Sequence, residues 1–389
     1  MPGFEVLGKE ERDAVMAVFE ESGGILFAHG FDAMRNGIFK VREFEKSFAT
    51  RFKTSYAQAV SSGSAAVKVG LDSLGVGRGD EVITQAHTFV ATIEAILLTG
   101  ATPVIVDVDE SFNMCPKSLE AAITPKTKAI VPVHMLGVAA DMDPIMKVAK
   151  ANAIKVMEDN AQGTGGSYKG KLLGTIGDVG AFSLDAGKVI QCGEGGMVVT
   201  NDRENYVLAR GAHDHGHEYS DAIGRGQEGA VCTGFNFRMS EIQAAIGMIQ
   251  LGKLDIILEH NRGNKSLIKD GLSDLPIQFR KLPDAIGDVS DTIIFSLESK
   301  KLTAQFVNRM AKEGLGTKNI PDALMWHFAG NWGHIYRQYG FYENTYKTQW
   351  QKTDDLLQSA IAIPVMVKWG ESEISKWVEG LRKIAKEIL

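Results

Sequence analysis

Cysteine is scarce in this chain of 389 residues, and its three cysteines stand far apart. Cys115, Cys192 and Cys232 have no Cys-x-x-Cys spacing. Without that spacing the sequence offers neither the framework of a small disulfide-linked domain nor the usual cysteine ligands of a structural zinc site. The pattern therefore favours a protein of the reducing cytoplasm that holds no metal.

Long apolar runs and basic runs are also missing. No apolar stretch approaches the roughly 20 residues that a helix needs to cross a bilayer. The first residues, Met-Pro-Gly-Phe-Glu-Val, lack the basic and apolar regions of a secretory signal. The net charge is −6 and no cluster of lysine and arginine stands out, which argues against nucleic-acid binding. We therefore expect a cytoplasmic protein that binds neither a membrane nor nucleic acid.

The composition and the apolar pattern are those of a globular α/β protein. Apolar residues make up 44% of the chain and charged residues 23%, which is ordinary for a soluble domain. Short apolar runs alternate with helical stretches over residues 57–202, a rhythm that predicts a mostly parallel sheet. The predicted strands there are 56–60, 81–84, 103–106, 129–133, 154–157, 180–184 and 197–200.

The pattern changes after that region. A long helix is predicted over residues 240–266, followed by helices mixed with the short apolar runs 292–297 and 360–364. We therefore predict two domains. Residues 1–259 form an N-terminal segment and a large α/β domain, and residues 260–389 form a smaller α+β domain.

Lys188 lies between two predicted strands, in a loop that is rich in glycine. A lysine on such a turn can be held partly out of water inside a cleft. Desolvation favours the neutral amine, which can then attack a carbonyl group. Most lysines are surface charges, so the importance of Lys188 depends on what lies upstream of it.

Three upstream segments follow predicted strands, at the end of the sheet where α/β proteins bind ligands. The first contains Ser62, Gly63, Ser64 and Ala65. Small residues at a helix start can bind a phosphate, although an ordinary capped helix has the same pattern. In the second, Phe89 could lie flat on a planar ring or pack in the core. In the third, Asp159 could pair with the protonated pyridine nitrogen of pyridoxal 5′-phosphate, or cap a helix.

Further polar residues have less specific interpretations. The Ser183 hydroxyl could contact the same phosphate. Asn236 precedes the long predicted helix and could equally belong to an ordinary loop–helix junction. His213, His215 and His217 resemble a metal-binding tract, but no carboxylate or cysteine accompanies them at a fixed spacing. A loop near the substrate entrance is the favoured interpretation of the three histidines.

Taken in order, the small-residue cup, the aromatic, the aspartate, the serine and the lysine resemble one family. The chain resembles the DegT/DnrJ/EryC/StrS sugar aminotransferases, which have the fold type I architecture of aspartate aminotransferase. The similarity runs nearly end to end and is carried by residues 61–67, 79–92, 154–170, 174–202 and 234–251. It implies pyridoxal 5′-phosphate as the cofactor, with the phosphate in the cup of residues 62–65.

The resemblance also implies roles for single residues. Lys188 would be the Schiff-base lysine and the proton carrier, and Asp159 would be the partner of the ring nitrogen. Phe89 would stack on the ring and Gln162 would lie on its hydroxyl side. Ser183 would contact the phosphate. Asn236 would reach the phosphate across the interface of a homodimer with shared active sites.

Two features depart from the common family pattern. Before the lysine, Asp185 has no obvious counterpart, and the stretch 213–229, which contains Arg225, is unusual. Both are more similar to the subgroup that makes 8-amino-3,8-dideoxy-manno-octulosonate for lipopolysaccharide. The candidate substrate contacts, each with a structural alternative, are His29, His87, His215, Arg225, Trp326 and His327.

The expected reaction moves the amino group of L-glutamate to a keto- or aldehydo-sugar. One alternative is an aminotransferase for a nucleotide-linked keto sugar. Another is a sugar dehydratase of the same fold, but those enzymes have histidine in place of the lysine, so Lys188 argues against it. A non-catalytic sugar sensor is disfavoured because both Asp159 and Lys188 are present.

Overall fold

The computed structural model describes residues 2–220 and 222–389. Met1, the first residue of the predicted large domain, and Asp221, within the stretch 213–229, lie outside the described residues. In chain order the strands are β1 Tyr56–Val60, β2 Glu81–Gln85, β3 Thr102–Val106, β4 Thr127–Val131, β5 Lys155–Asp159, β6 Ser167–Tyr168, β7 Lys171–Leu172, β8 Val179–Ser183, β9 Gly196–Thr200, β10 Gln278–Phe279, β11 Thr292–Ser296 and β12 Ala360–Pro364.

The helices that accompany these strands are mostly short. They are α1 Pro2–Glu5, α2 Lys9–Glu21, α3 Lys40–Phe52, α4 Gly63–Ser73, α5 Ala91–Thr99, α6 Pro116–Ala121, α7 Met142–Ala151, α8 Arg203–Ala212, α9 Glu241–Gly271, α10 Lys300–Lys312, α11 Leu324–His327, α12 Gly333–Tyr339, α13 Gln351–Gln358 and α14 Glu371–Ile388. Two 3₁₀ turns, Met135–Gly137 and Ala329–Asn331, connect some of them.

The main sheet has the strand order β1-β9-β8-β5-β4-β2-β3. Strand β9 is antiparallel to its neighbours β1 and β8, and the other four pairings are parallel. The predicted mostly parallel sheet is therefore confirmed. Its carboxyl-terminal edge collects the ends of β1, β2, β5 and β8, which is where ligands bind in such sheets.

Helices cover both faces of this sheet. Ala181 and Val198 pack with residues of α4 on one face. Phe182 and Met197, the next residues along the same strands, pack with α3 and α9 on the other face. Successive side chains of a strand point to opposite faces, and a sheet that is buried on both faces consists of continuous apolar runs. This burial explains why short apolar runs predicted the strands closely.

A smaller antiparallel sheet, β10-β11-β12, follows in the C-terminal part. Its core joins Phe295 and Ile363 to Phe306 of α10 and Trp377 of α14. Helix α9 crosses the predicted domain boundary at residue 259 and continues beyond residue 266. It is extended because its last turns bury Ile268 in the core of the smaller sheet. The division into two domains stays a prediction.

A buried ion pair attaches the loop before α3 to the start of α9. Arg35 Nη2 lies 2.8 Å from Glu241 Oε2, and neither side chain is exposed. Arg35 also donates to the Phe27 and Ile38 carbonyls, at 2.7 Å each. Glu241 accepts the backbone N–H of Lys40 at 2.5 Å. The two charges can stay out of water because each is the counter-charge of the other, and the backbone supplies further hydrogen-bond partners to both.

We expect the variant Glu241→Gln to lower the free energy of unfolding by about 3–5 kcal/mol, because it leaves the Arg35 charge buried without a counter-charge. Urea unfolding of wild type and variant measures the difference. The matched control is Asp274→Ala, which breaks a solvent-exposed pair with Arg382 and should change the free energy of unfolding little. An equal, small effect of both substitutions would contradict the prediction.

Candidate active site

One cavity of about 550 Å³ opens at the carboxyl-terminal edge of the main sheet. The ends of four strands and the loop after β8 reach it, together with residues of the C-terminal part. Ten of the residues singled out in the sequence line it: Ser62, Gly63, Ser64, Phe89, Asp159, Gln162, Ser183, Asp185, Lys188 and His327. The structure therefore brings together in space most of the residues that the resemblance assigns to a cofactor.

The start of α4 supplies the cup. Ser62 caps the helix, and its Oγ accepts the Ala65 N–H at 3.1 Å. Ala65 itself is buried and does not line the cavity, so its N–H serves the cap. The Ser62 O–H and the helix N-terminus remain suited to an anion. A Cβ on Gly63 would lie 2.5 Å from Ser183 Cβ, so only glycine lets the cup approach Ser183 this closely.

Asp159 is a buried carboxylate of the cavity, with 3% of its surface exposed. Its carboxylate accepts Thr92 Oγ1–H at 2.8 Å and the Ala161 N–H at 3.1 Å. Burial raises the pKa of Asp159, while these two bonds and the charges of Lys188 and His134 act in the opposite direction. A buried carboxylate without a cation in hydrogen-bond reach is suited to a protonated ring nitrogen.

Phe89 and Gln162 are placed for the flat part of a ligand. The Phe89 ring remains 43% exposed and lies 5.3 Å from the His327 ring, tilted by 49°. Gln162 Oε1 accepts the Leu136 N–H at 3.0 Å. Because the amide oxygen is engaged there, its NH₂ group is the part that can donate to a ligand oxygen. The cavity thus has an aromatic face, an acid and an amide donor, which fit the ring of pyridoxal 5′-phosphate.

The loop after β8 holds Lys188 through Asp185. Asp185 Oδ1 accepts the Gly187 N–H at 2.6 Å, and the Asp185 carbonyl accepts the Lys188 N–H at 3.0 Å. The first bond closes an Asx turn at Gly187, and the second closes a β-turn that ends at the lysine. The other carboxylate oxygen lies 3.4 Å from Lys188 Nζ and accepts Ser183 Oγ–H at 3.2 Å. Asp185 therefore links the lysine to the serine beside the cup.

Asn236 and most of the candidate substrate contacts lie elsewhere. Asn236 is exposed and does not line the cavity of its own chain. His29 lies 3.1 Å from Asp214, and Arg225 lies 2.7 Å from the same buried carboxylate. Both side chains therefore compensate a buried charge away from the cavity. His215 is exposed in the same region.

Two further candidates are close in sequence to cavity residues but do not line the cavity. His87 is fully buried behind it, where Nδ1 donates to the Phe112 carbonyl at 3.0 Å, and burial lowers its pKa to about 3. Trp326 is 53% exposed and does not line the cavity. Of the six candidates, His327 lines the cavity.

Sequence reasoning missed several polar residues of the cavity. Thr92 contacts Asp159, and Thr88 lies 2.8 Å from the Thr92 hydroxyl. Thr88 precedes α5 and Thr92 lies in its first turn, so no helix-face pattern marks this pair. Asp291, Lys318 and Asn319 come from the C-terminal part, and no local pattern marks them.

Other kinds of site are not found in the part of the chain that the structure describes. Residues 2–220 and 222–389 contain no group of three or more His, Cys, Asp or Glu side chains that could hold a metal ion. Over the same residues, no helix has both the length and the apolar character to span a bilayer.

The fold and the cavity define an enzyme class, the pyridoxal phosphate-dependent transferases of fold type I. Comparison with known proteins narrows the class. Residues 32–382 match the family model of the DegT/DnrJ/EryC1/StrS aminotransferases, and the chain belongs to this family. Membership confirms the enzyme class and the cofactor expected from the sequence.

Two similar relatives are GDP-perosamine synthases. The chain is 43% identical over 218 residues to the enzyme of Caulobacter vibrioides, an alignment that covers 55% of this chain and 56% of the relative. It is 39% identical over 241 residues to that of Escherichia coli O157:H7, which covers 60% and 64%. The alignments thus span less than two thirds of either relative. They favour the nucleotide-linked alternative over the octulosonate subgroup suggested by local features.

Solved structures agree along the whole chain. An aminotransferase from Psychrobacter cryohalolentis superimposes with a TM-score of 0.84 at 29% identity, over 98% of both chains. The 3-amino-5-hydroxybenzoic acid synthase also gives 0.84, at 27% identity over 99% of this chain and 98% of the other. The fold class predicted from the sequence is confirmed.

We expect the variant Thr92→Val to raise the pKa of Asp159, because it removes a hydrogen bond that stabilises the carboxylate. The carboxyl band of Asp159 in the apoprotein, followed by difference infrared spectroscopy against pH, measures the shift. In the variant, Asp159 would stay protonated to a higher pH than in wild type.

Two substitutions control this prediction. Thr92→Ser retains the donor and should restore the wild-type titration, whereas Thr88→Val removes a hydroxyl that does not contact Asp159 and should have a smaller effect. A titration unchanged in Thr92→Val would show that the bond does not stabilise the charge.

Proposed function

We propose that this chain is an aminotransferase that moves an amino group from L-glutamate to a nucleotide-linked keto sugar. The observation that carries the proposal is the meeting of Lys188 and the buried Asp159 in one cavity, in a chain of an aminotransferase family. The nucleotide-linked sugar is favoured over the octulosonate because two similar relatives are GDP-perosamine synthases. The proposal includes a cytoplasmic homodimer in which Asn236 reaches the partner's cofactor phosphate.

The protein's part in the reaction begins with holding the cofactor. The cup of α4 and the Ser183 hydroxyl would bind the phosphate, and Phe89 would stack on the ring and orient it. Asp159 would hold a proton on the ring nitrogen, and Gln162 would donate to the ring hydroxyl. When bound, the cofactor supplies an electron sink that stabilises negative charge on the substrate carbon next to nitrogen.

Lys188 performs the proton transfer. Its Nζ is the amine that would hold the cofactor, and once free it would act as the base that takes the proton from the substrate carbon and as the acid that returns it. Asp185, 3.4 Å away, offers a counter-charge whenever Nζ carries that proton. The same steps in reverse order deliver the amino group to the sugar.

The amino group can be followed from sugar to 2-oxoglutarate, because transamination is reversible. Purified enzyme would be incubated with 2-oxoglutarate and either GDP-perosamine, a UDP-linked amino sugar or 8-amino-3,8-dideoxy-manno-octulosonate, and L-glutamate formation measured. We expect glutamate from a nucleotide-linked amino sugar and little from the octulosonate. Glutamate formed only from the octulosonate would overturn the sugar assignment. Water loss from a sugar without any amino donor would identify a dehydratase.

We expect Lys188→Ala to lower multiple turnover by at least about 10³-fold, because it removes the proton carrier and the Lys318 amine of the same cavity is paired with Asp291. Steady-state glutamate formation measures the loss, and the visible absorbance of the loaded cofactor should change in the same protein. The control is Lys9→Ala, which removes an exposed lysine of α2. Multiple turnover retained by Lys188→Ala would refute the mechanism, whereas purified wild-type protein without a cofactor spectrum would revive the sensor alternative.

A further inference from the structure

Part of the cavity is built by the C-terminal part of the chain and has no assigned role. Asp291, Lys318, Asn319 and His327, here called the C-terminal wall, line the same cavity as Lys188. Asp291 directly precedes β11, and the Lys318 N–H donates to the Ala362 carbonyl of β12 at 2.8 Å. The small sheet therefore fixes the position of this wall.

The charges of the C-terminal wall compensate one another. Lys318 Nζ donates to Asp291 Oδ2 at 2.7 Å and to the Asp291 carbonyl at 3.1 Å. Burial alone would raise the pKa of Asp291, but the charge and the hydrogen bond of Lys318 outweigh it and keep the pKa below its usual range. The wall thus offers an ion pair, and no unpaired cation is found among its described residues.

His327 adds no charge to the wall. Its Nδ1 lies 2.9 Å from the Ala323 carbonyl, which can only accept, so Nδ1 carries the proton. Nε2 then accepts from Asn319 Nδ2 at 3.4 Å. Burial and the nearby charge of Lys188 both lower the pKa of His327, which keeps the imidazole neutral.

Hydrogen-bonding capacity remains on both sides of the ion pair. Lys318 has a third N–H, and Asp291 retains lone pairs beyond those used by Lys318 and Thr292. Asn319 keeps one N–H and its amide oxygen. Its backbone has φ of +68°, a left-handed conformation that is rare for residues other than glycine and is concentrated at functional sites.

A mixed set of donors and acceptors matches hydroxyl groups, each of which donates and accepts. A carboxylate only accepts, and is bound best by an unpaired arginine or lysine. We infer that the C-terminal wall binds the hydroxyl groups of an uncharged sugar ring and selects the sugar, rather than the amino acid, as substrate. The inference rests on the proposed function.

Two variants remove hydrogen-bonding groups from the C-terminal wall with limited damage to the fold. Asn319→Gly deletes the side-chain amide while tolerating the left-handed backbone. The double variant Lys318→Met with Asp291→Asn removes both charges, so that neither is left buried alone. The matched control is Lys265→Met with Asp288→Asn, because this buried pair packs beside the same small sheet but does not line the cavity.

The half-reactions of the cofactor-loaded enzyme with L-glutamate and with GDP-perosamine would be followed separately by stopped-flow absorbance. We expect each wall variant to lower kcat/KM for GDP-perosamine by about 10- to 100-fold, and to change the value for L-glutamate by less than about 3-fold. The control double variant should affect neither half-reaction selectively. Equal losses in both half-reactions, or a loss confined to L-glutamate, would overturn the inference.

Failure of the proposed function gives a different result from failure of the inference about the C-terminal wall. If wild-type enzyme reacts with L-glutamate but not with GDP-perosamine, the assignment to a GDP-linked sugar fails before any variant is compared. The same variants would then be compared on 8-amino-3,8-dideoxy-manno-octulosonate. Losses confined to that amino sugar would support the wall's role, and losses shared with L-glutamate would overturn it.

Discussion

The burial of one carboxylate governs the chemistry of this cavity. Asp159 ends a central strand and has almost no contact with solvent, so its charge needs stabilisation from the protein and from a bound cation. Thr92 and Ala161 supply hydrogen bonds, and Lys188 supplies charge from a distance. In the proposed function a protonated pyridine nitrogen completes the set, because a buried charge without compensation is costly.

The position and the charge of Lys188 likewise depend on a nearby carboxylate. Asp185 shapes the turn that carries Lys188 and also faces its amine. The negative charge of Asp185 opposes the binding of a phosphate, but this carboxylate lies beside Ser183 and not inside the cup of residues 62–65.

The cavity joins two parts of the chain with different tasks. The strand ends of the main sheet provide the groups that fit the cofactor, all from residues 62–188. The smaller sheet provides a wall whose charges are already paired. Such a division lets one cofactor site serve many acceptors, because the wall can vary while the strand ends stay unchanged. It agrees with relatives that share the fold and differ in the compounds they are named for.

Local sequence determined the strands and the cofactor residues. Apolar runs form strands wherever a sheet is buried on both faces, and residues that end adjacent parallel strands must meet at one edge. Only the tertiary structure decided which of the other polar residues line the cavity and which pair with buried charges elsewhere. His29 and Arg225 contact the buried Asp214. Lys318 lines the cavity although it lies more than 100 residues after Lys188 in the chain. The physical reason is that contacts between distant segments depend on the packing of both sheets, which no local pattern records.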